Sequence, residues 1–390
     1  MAHVLIGFAE ALPAPEVVFS LLSAGHQVSA FSRVSDLPLK SLPLAKLHVI
    51  PAPEDDVQAS VDAVAAIMQA SDAPDFLLPM DDLGLWVANQ LEMPGRIAGA
   101  TGRQADAALD KATQVAAAKV AGLEVPSTWL ASDLARAAPE PPLPLIAKPA
   151  LAVRVQDNCL GKDDAAYLSN RTDVRRYAEE ITASTPPILV QPLIKGVGEG
   201  VFGFATENGI VAWSGHRRLR MMNPHGSGSS ACISFAPERQ LREKVAAFLA
   251  ELGWRGAFMV ELLRDESGTP WFMELNGRMW GSMALARRQG FEYPAWNVAL
   301  AEDASFAPAE QVTSSGTLEQ RHLGREILHL LFTLRGPKSE FHKQDWPRLR
   351  KSLPAVLRPA RGARFYNYDP AFPRYFLKDA FWTVKKALRR

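Results

Sequence analysis

Residues 256–276, "GAFMVELLRDESGTPWFMELN", constrain the fold of this chain more than any other stretch. Two apolar runs flank "DESGTP", whose Asp, Gly and Pro favour a tight turn over a continued helix or strand. The pattern predicts an antiparallel hairpin. Side chains alternate faces along a strand, so Glu274, Asn276 and Arg278 share one face while Met273 and Leu275 point toward a core. Glu261, in "FMVELL" on the first strand, can meet Glu274 and Asn276 once the hairpin closes. The result is an oxygen-rich face followed by a positive charge.

The rest of the chain divides by rhythm. Residues 1 to about 100 alternate strands and helices: "HVLIGFA", "APEVVFSLLSAG", "HQVSAFS", "KLHVI", "DVQASVDAVAAIMQA" and "DFLLPM". That order predicts a small doubly wound parallel sheet. Its first turn, "GFAEALPAP", lacks the G-x-G-x-x-G that lets a pyrophosphate approach the backbone, which argues against nicotinamide or flavin binding. Asp81 and Asp82 follow the strand "FLLPM", where they can cap the helix "LGLWVANQL" or contact a ligand. "DAALDKATQVAAAKVAGLEVPSTW" predicts one helix closed by Gly122. Beyond it come "LPLIAKPA", "PPILVQPLI", "GIVAWSGHRRLR" and "SSACISFAP", all strands, and the amphipathic helix "PERQLREKVAAFLAELGW". The overall reading is α/β with an antiparallel, α+β middle.

With 390 residues, the chain is expected to hold two or three domains. Cys159 and Cys232 make neither a disulfide framework nor a metal-ligand spacing and suit a reducing, cytoplasmic setting. No apolar run reaches bilayer-spanning length, and the start lacks the basic n-region of a signal peptide. The net charge of +1 conceals an asymmetry: Arg325–Arg390 carries 16 Lys and Arg against 5 Asp and Glu, leaving the first 324 residues at −10.

Two carboxylates and an amide suit Mg²⁺, a hard cation that keeps positions open for water and phosphate. A metal–phosphate site also needs fixed cations. Lys148 ends an apolar strand, Lys111 sits on a helix after Asp110, Arg278 follows the acidic strand, and Arg217, Arg218 and Arg220 crowd another. Each alone reads as a solvated surface charge; the set together, beside the acid–amide face, points to a nucleotide.

At these residues the chain resembles the ATP-grasp enzymes, in the branch similar to the ATP-binding halves of carbamoyl-phosphate synthase. The resemblance rests on motifs in order over roughly residues 1–305. "LDKATQVAAAKVAGLEVPST" matches the entry helix with Lys111 as a phosphate-binding lysine, and "PLIAKPA" the lid strand with Lys148 as the nucleotide-binding lysine. "VQPLIKGVGEG" matches the hinge that receives adenine through Gln191, Pro192, Leu193 and Ile194, with Glu199 at the ribose position. "HRRLR" and "PHGSGSSACIS" match the basic strand and a substrate-side loop. "VELL…WFMELNGRMWGS" matches the metal hairpin, with Glu261, Glu274 and Asn276 as ligands and Arg278 near the transferred phosphate. There are two departures. The lid text "KPALAVRVQDNCLGKDD" keeps only Gly161 of the family's glycine-rich loop, so that the lid would either close differently or use side chains such as Arg154, and Gln191 stands where an acid is common.

The resemblance implies a parallel α/β domain over 1–105, a two-lobed ATP-grasp domain over 106–305 with its lid at about 140–190, and a basic, partly helical extension over 306–390. It implies ATP with Mg²⁺ (Mn²⁺ as a substitute) and an ADP-forming ligase. A small-molecule carboxylate is activated as an acyl phosphate and joined to an amine or thiol, with Arg278 and Arg218 steadying the transferred group. Ser227, Ser229 and Ser230 could donate to the substrate's carboxylate, or form only a flexible turn. Two alternatives stay open: a phosphotransferase that stops at γ-phosphoryl transfer, and a non-catalytic, membrane-associated ATP-binding protein. No nucleic-acid reader motif accompanies the basic charge. The tail "PRYFLKDAFWTVKKALRR", with Phe376, Trp382 and Leu388 on one face, is either a helix packed on the core or on a second subunit, as in a homodimer, or a peripheral membrane contact.

Overall fold

The computed structural model describes residues 1–136, 140–182, 184–226, 228–313, 318–337, 343 and 345–388. Ser227 and the side chain of Leu388 lie outside the described residues. The first hundred residues fold as their rhythm requires. Four parallel strands stand in the order Leu47–Val49, Gln27–Ser32, His3–Gly7, Phe76–Pro79. Asp56 caps the helix Val57–Gln69 by accepting the Ala59 N–H, and Asp81 caps Asp82–Gln90 by accepting that of Gly84 at 2.7 Å.

The single helix expected after residue 106 is two helices, Arg103–Leu109 and Lys111–Val120. Asp110 between them has extended backbone, and its carboxylate accepts from Ala112 N at 2.9 Å and Thr113 Oγ1 at 2.6 Å. An aspartate that can cap a new first turn competes with continuation of the old helix. The break places Lys111 on the first turn, its own N–H donating to Ala150 O at 2.7 Å.

Residues 129–192 carry a four-stranded antiparallel sheet ordered Trp129–Leu130, Ile188–Pro192, Leu145–Pro149, Ala166–Leu168, with a small core of Leu145, Ala147, Leu168 and Val190. Between its strands projects a separate hairpin, Arg154–Gln156 with Cys159–Gly161. Its two-residue turn, Asp157 and Asn158, has φ of 50° and 60°. Asn and Asp tolerate that left-handed conformation better than other side chains, which suits them to a tight hairpin turn.

The largest sheet has eight strands. The expected hairpin, Gly256–Arg264 with Pro270–Asn276, forms its edge, next to Val197–Thr206, Gly209–Met221 and Ser229–Ser234. The segment expected as an extension after residue 305 is built into this sheet. Gln311–Val312 pairs with Gly209–Met221, Glu319–Arg321 with Ser229–Ser234, and Arg364–Phe365 with Glu319–Arg321. Arg220, Glu326 and Arg321 tie the join ionically, at 3.0 and 2.5 Å. The helices Leu323–Arg335 and Pro373–Leu388 pack on each other. Tyr375 and Ala380 are buried, while Leu377 and Phe381 stay 64% and 70% exposed. The tail helix is therefore packed on the core along one face. Among the described residues no helix is long and apolar enough to cross a membrane.

Candidate active site

The hairpin register places Glu261 directly opposite Glu274. The pairing shifts between Glu261 and Leu262, so one extra residue, Met273, sits in a bulge. Met273 is half-buried rather than a full core partner of Leu275, and the bulge lets Phe272 and Leu275 both enter the core while Glu274 faces Glu261. Asn276 pairs with Met259, two residues along the same face. Glu261, Glu274, Asn276 and Arg278 all line one cavity of about 560 Å³, together with Arg218, His216 and Asp81.

The cations converge as well. Lys111 Nζ lies 3.9 Å from Glu274, and Arg218 Nη2 donates to Glu261 at 2.5 Å. Lys148 is buried, and burial pushes its ammonium down to about 8 although Glu274 and Glu261 act to raise it. Glu261 is pushed up, by burial first, against the pull of Arg218, with the neighbouring charge of Glu274 adding to the rise. Two carboxylates facing each other in one cavity, with an amide beside them, are a donor set that suits a hard divalent cation. Among the described residues no group of three or more His, Cys, Asp or Glu could hold a metal ion.

Other expected residues fall differently. Arg217, Arg218 and Arg220 do not act together: they pair with Glu199, Glu261 and Glu326 respectively, and only Arg218 reaches the cavity. Glu199 sits opposite Leu262 and Arg217, on the sheet face away from Glu261. It is fully buried, with Arg217 Nε donating to one oxygen at 2.7 Å and Arg264 Nε to the other at 2.9 Å. Each oxygen is thus held by a guanidinium inside the sheet, on the face away from Glu261. Gln191 pairs opposite Ile146 on the face that carries Lys148. Its Nε2 donates to Thr128 Oγ1 at 2.8 Å, while its buried Oε1 has no partner. Pro192, Leu193 and Ile194 follow it half-buried, with Leu193 N donating to Pro144 O at 2.9 Å. Ser229 Oγ donates to Ala231 O at 2.6 Å and Ser230 Oγ to Arg220 O at 3.4 Å, so the two hydroxyls serve the backbone of their own strand and of the neighbouring one.

The sequence offered little sign of three site features. Asp82, expected as a cap or a ligand contact, instead accepts from Arg278 Nε at 3.0 Å and pairs with Lys162 of the lid segment. Burial alone would raise its carboxyl, yet Arg278 and Lys162 hold it well below the usual range. His216 is buried in the cavity wall, its Nδ1 bonded to Ser282 Oγ at 2.6 Å and its Nε2 without a partner. Burial, with Arg218 nearby, pushes the imidazole down to about 3, so it is neutral. Third, no glycine-rich loop is needed to seat the lid hairpin: Asn158 O accepts from Val57 N at 2.8 Å, Leu160 N donates to Pro53 O at 2.7 Å, and Leu160 is fully buried. Arg154, the side chain expected to serve the lid, pairs with Asp163 at 2.9 Å on the surface.

No sequence-family profile and no curated protein matches the chain. Solved structures do. An L-amino acid ligase from Bacillus licheniformis superposes with a TM-score of 0.59 at 16% identity, over 78% of this chain and 74% of that one. Biotin carboxylase from Campylobacter jejuni gives 0.61 at 17%, over 80% and 73%. N5-carboxyaminoimidazole synthetase from Staphylococcus aureus, complexed with ADP, gives 0.59 at 14%, over 80% and 79%. The motif order, the sheet architecture and these likenesses agree: the chain has the ATP-grasp fold.

Proposed function

We propose that this protein is an ATP-dependent, ADP-forming ligase that activates a small-molecule carboxylate as an acyl phosphate and joins it to an amine or similar nucleophile. One observation carries the reading: Glu261 and Glu274 face each other in one cavity with Asn276, Arg218 and Arg278, Lys111 pairs with Glu274, and Lys148 acts on both carboxylates. Mg²⁺ held by Glu261, Glu274 and Asn276 would neutralise phosphate oxygens. Lys111 and Lys148 bind the phosphates as point charges. Gln191 turns its unpartnered Oε1 toward the exocyclic amine of adenine, with the backbone of Pro192–Ile194 beside it. Arg278, oriented by Asp82, and Arg218 would steady the oxygens of the transferred phosphoryl group. Neutral His216 offers a cavity-facing nitrogen for orienting a substrate rather than a charge.

The likeness to an L-amino acid ligase and to an ADP complex of a synthetase supports this reaction class. The test is a screen of carboxylates with amine acceptors for ADP release, with mass detection of the product. Ligated product equal to ADP is expected; a stable phosphorylated acceptor instead would show a phosphotransferase. Peripheral membrane contact is a separate reading, supported by exposed Leu377 and Phe381 on a helix that also carries Arg374, Lys378 and Lys385. Flotation with anionic vesicles that is unchanged in a Leu377→Ser, Phe381→Ser variant would remove it.

A further inference from the structure

A second cavity, of about 450 Å³, adjoins the one that holds Glu261 and Glu274. It lies between the loop after the first strand, the helix Leu323–Arg335 and the helix Pro373–Leu388. The two cavities share Ala11, Leu12 and Arg325. Leu37, Leu39, Leu328, Phe332 and Trp382 make the walls of the second largely apolar.

Arg325 at the junction contrasts with five other arginines of this chain. Arg218, Arg220, Arg278, Arg287 and Arg321 each lie within 4 Å of a carboxylate. Arg325 has no such ion pair among the described residues, and its Nη1 donates only to the backbone oxygen of Ser229, at 3.2 Å. Burial pushes its guanidinium down, Tyr366 and Asp379 act to raise it, and Arg218 adds a like charge nearby. The loop leaves room for it: a Cβ on Gly228 would stand 2.5 Å from Arg325 Nη1. The acids on the same walls are committed elsewhere. Asp379 accepts from Asn367 Nδ2 at 2.9 Å and pairs with His322, and Glu10 accepts from Arg33 N at 2.5 Å. A cation with no carboxylate in direct contact gains from an anion that completes its hydrogen bonds. An apolar chamber opening beside that cation fits the body of the same molecule.

We propose that the second cavity is the acid-substrate pocket, in which Arg325 holds the carboxylate at the junction while an extended apolar body fills the space toward Leu39, Phe332 and Trp382. The substrate class is then a free carboxylic acid with an apolar chain, selected by the C-terminal segment. This deepens the ligase reading and rests on it for the fate of the acid, though not for its binding.

The test is calorimetric titration of the full chain with straight-chain carboxylates of four to twelve carbons and with the matching primary alcohols. Affinity should rise about fourfold per methylene until the cavity is filled, and each alcohol should bind at least about tenfold more weakly than its acid. Arg325→Met should remove that tenfold preference and leave alcohol binding unchanged. Leu39→Phe should shorten the best-bound chain, which keeps the pocket testable if the arginine variant folds poorly. Affinity independent of chain length, or an acid preference that survives Arg325→Met, would overturn the proposal. ADP release measured alongside separates the two readings. Acids that bind as described but never elicit ADP release sink the ligase and keep the pocket. Release driven by short polar acids, indifferent to Arg325, does the reverse.

Discussion

The hairpin Gly256–Asn276 is one margin of an eight-stranded sheet, paired along its length with Val197–Thr206 and packed against the helix Lys111–Val120. The hairpin Arg154–Gly161 pairs only with itself and is held at its tip by the N-terminal α/β domain. The first points charged groups into a cavity and pays for their burial with cross-strand partners. The second carries its charges outward and is seated by two backbone hydrogen bonds, the Asn158–Asp56 contact at 2.9 Å and the buried Leu160. Lys162, just past it, reaches Asp82, which also orients Arg278 beside the first hairpin. A hairpin built into the large sheet is thus linked, through a single aspartate, to one held at its tip.

Four experiments press on this contrast. The largest effect is expected in the sheet hairpin. Glu274→Ala should lower ADP release by about 10²-fold or more, with little change in the denaturation midpoint because a cavity-facing carboxylate adds little to the core. Near-normal turnover would remove Glu274 from the metal site.

Next is the link. Asp82→Asn leaves Arg278 and Lys162 without their shared counter-charge. It should cost about 1–3 kcal/mol in chemical denaturation and lower kcat more than it raises KM for ATP. An effect on stability alone would make Asp82 a structural tie and not a positioning residue.

The third probes the buried cation. Lys148 sits near 8, below its ordinary 10.5. The free protein carries the charge below that pH and loses it above, so nucleotide affinity should fall as pH rises through about 8, by about tenfold at pH 9. Lys148→Met should bind weakly with a flat profile over that range; an unchanged slope in the variant would assign the titration to another group.

The smallest effect belongs to the lid tip. Asn158→Ala removes the bond to Asp56 and puts a less tolerant residue at φ 60°. Stability should change by about 1 kcal/mol or less, while proteolysis at the tip should speed up measurably. Unchanged protection would mean that Leu160 alone seats the hairpin.

Much of the sheet hairpin was readable in advance because strand alternation is local. Glu274, Asn276 and Arg278 are close in sequence, and a tight turn leaves few registers by which Glu261 can meet them. The bulge at Met273 was not readable, since it answers to the packing of Phe272 and Leu275. The same limit applies to Glu199, whose two guanidinium partners come from strands further along the chain. The break at Asp110 had a local cause that helix periodicity overrode. Arg325 carried no signal: it is one of 16 basic residues in its segment, and only the neighbours left absent around it make it distinct.

Local pattern was thus enough for the parallel sheet, the antiparallel core and the acid–amide face, because hydrophobic periodicity and turn chemistry act over a few residues. Which cation answers which carboxylate, where the lid hairpin docks, and that the basic tail completes the sheet and walls a second cavity all depend on residues brought together from different elements, 196 positions apart in the Arg278–Asp82 pair. Charge pairing and burial act through space, so those assignments existed only once the chain had closed on itself.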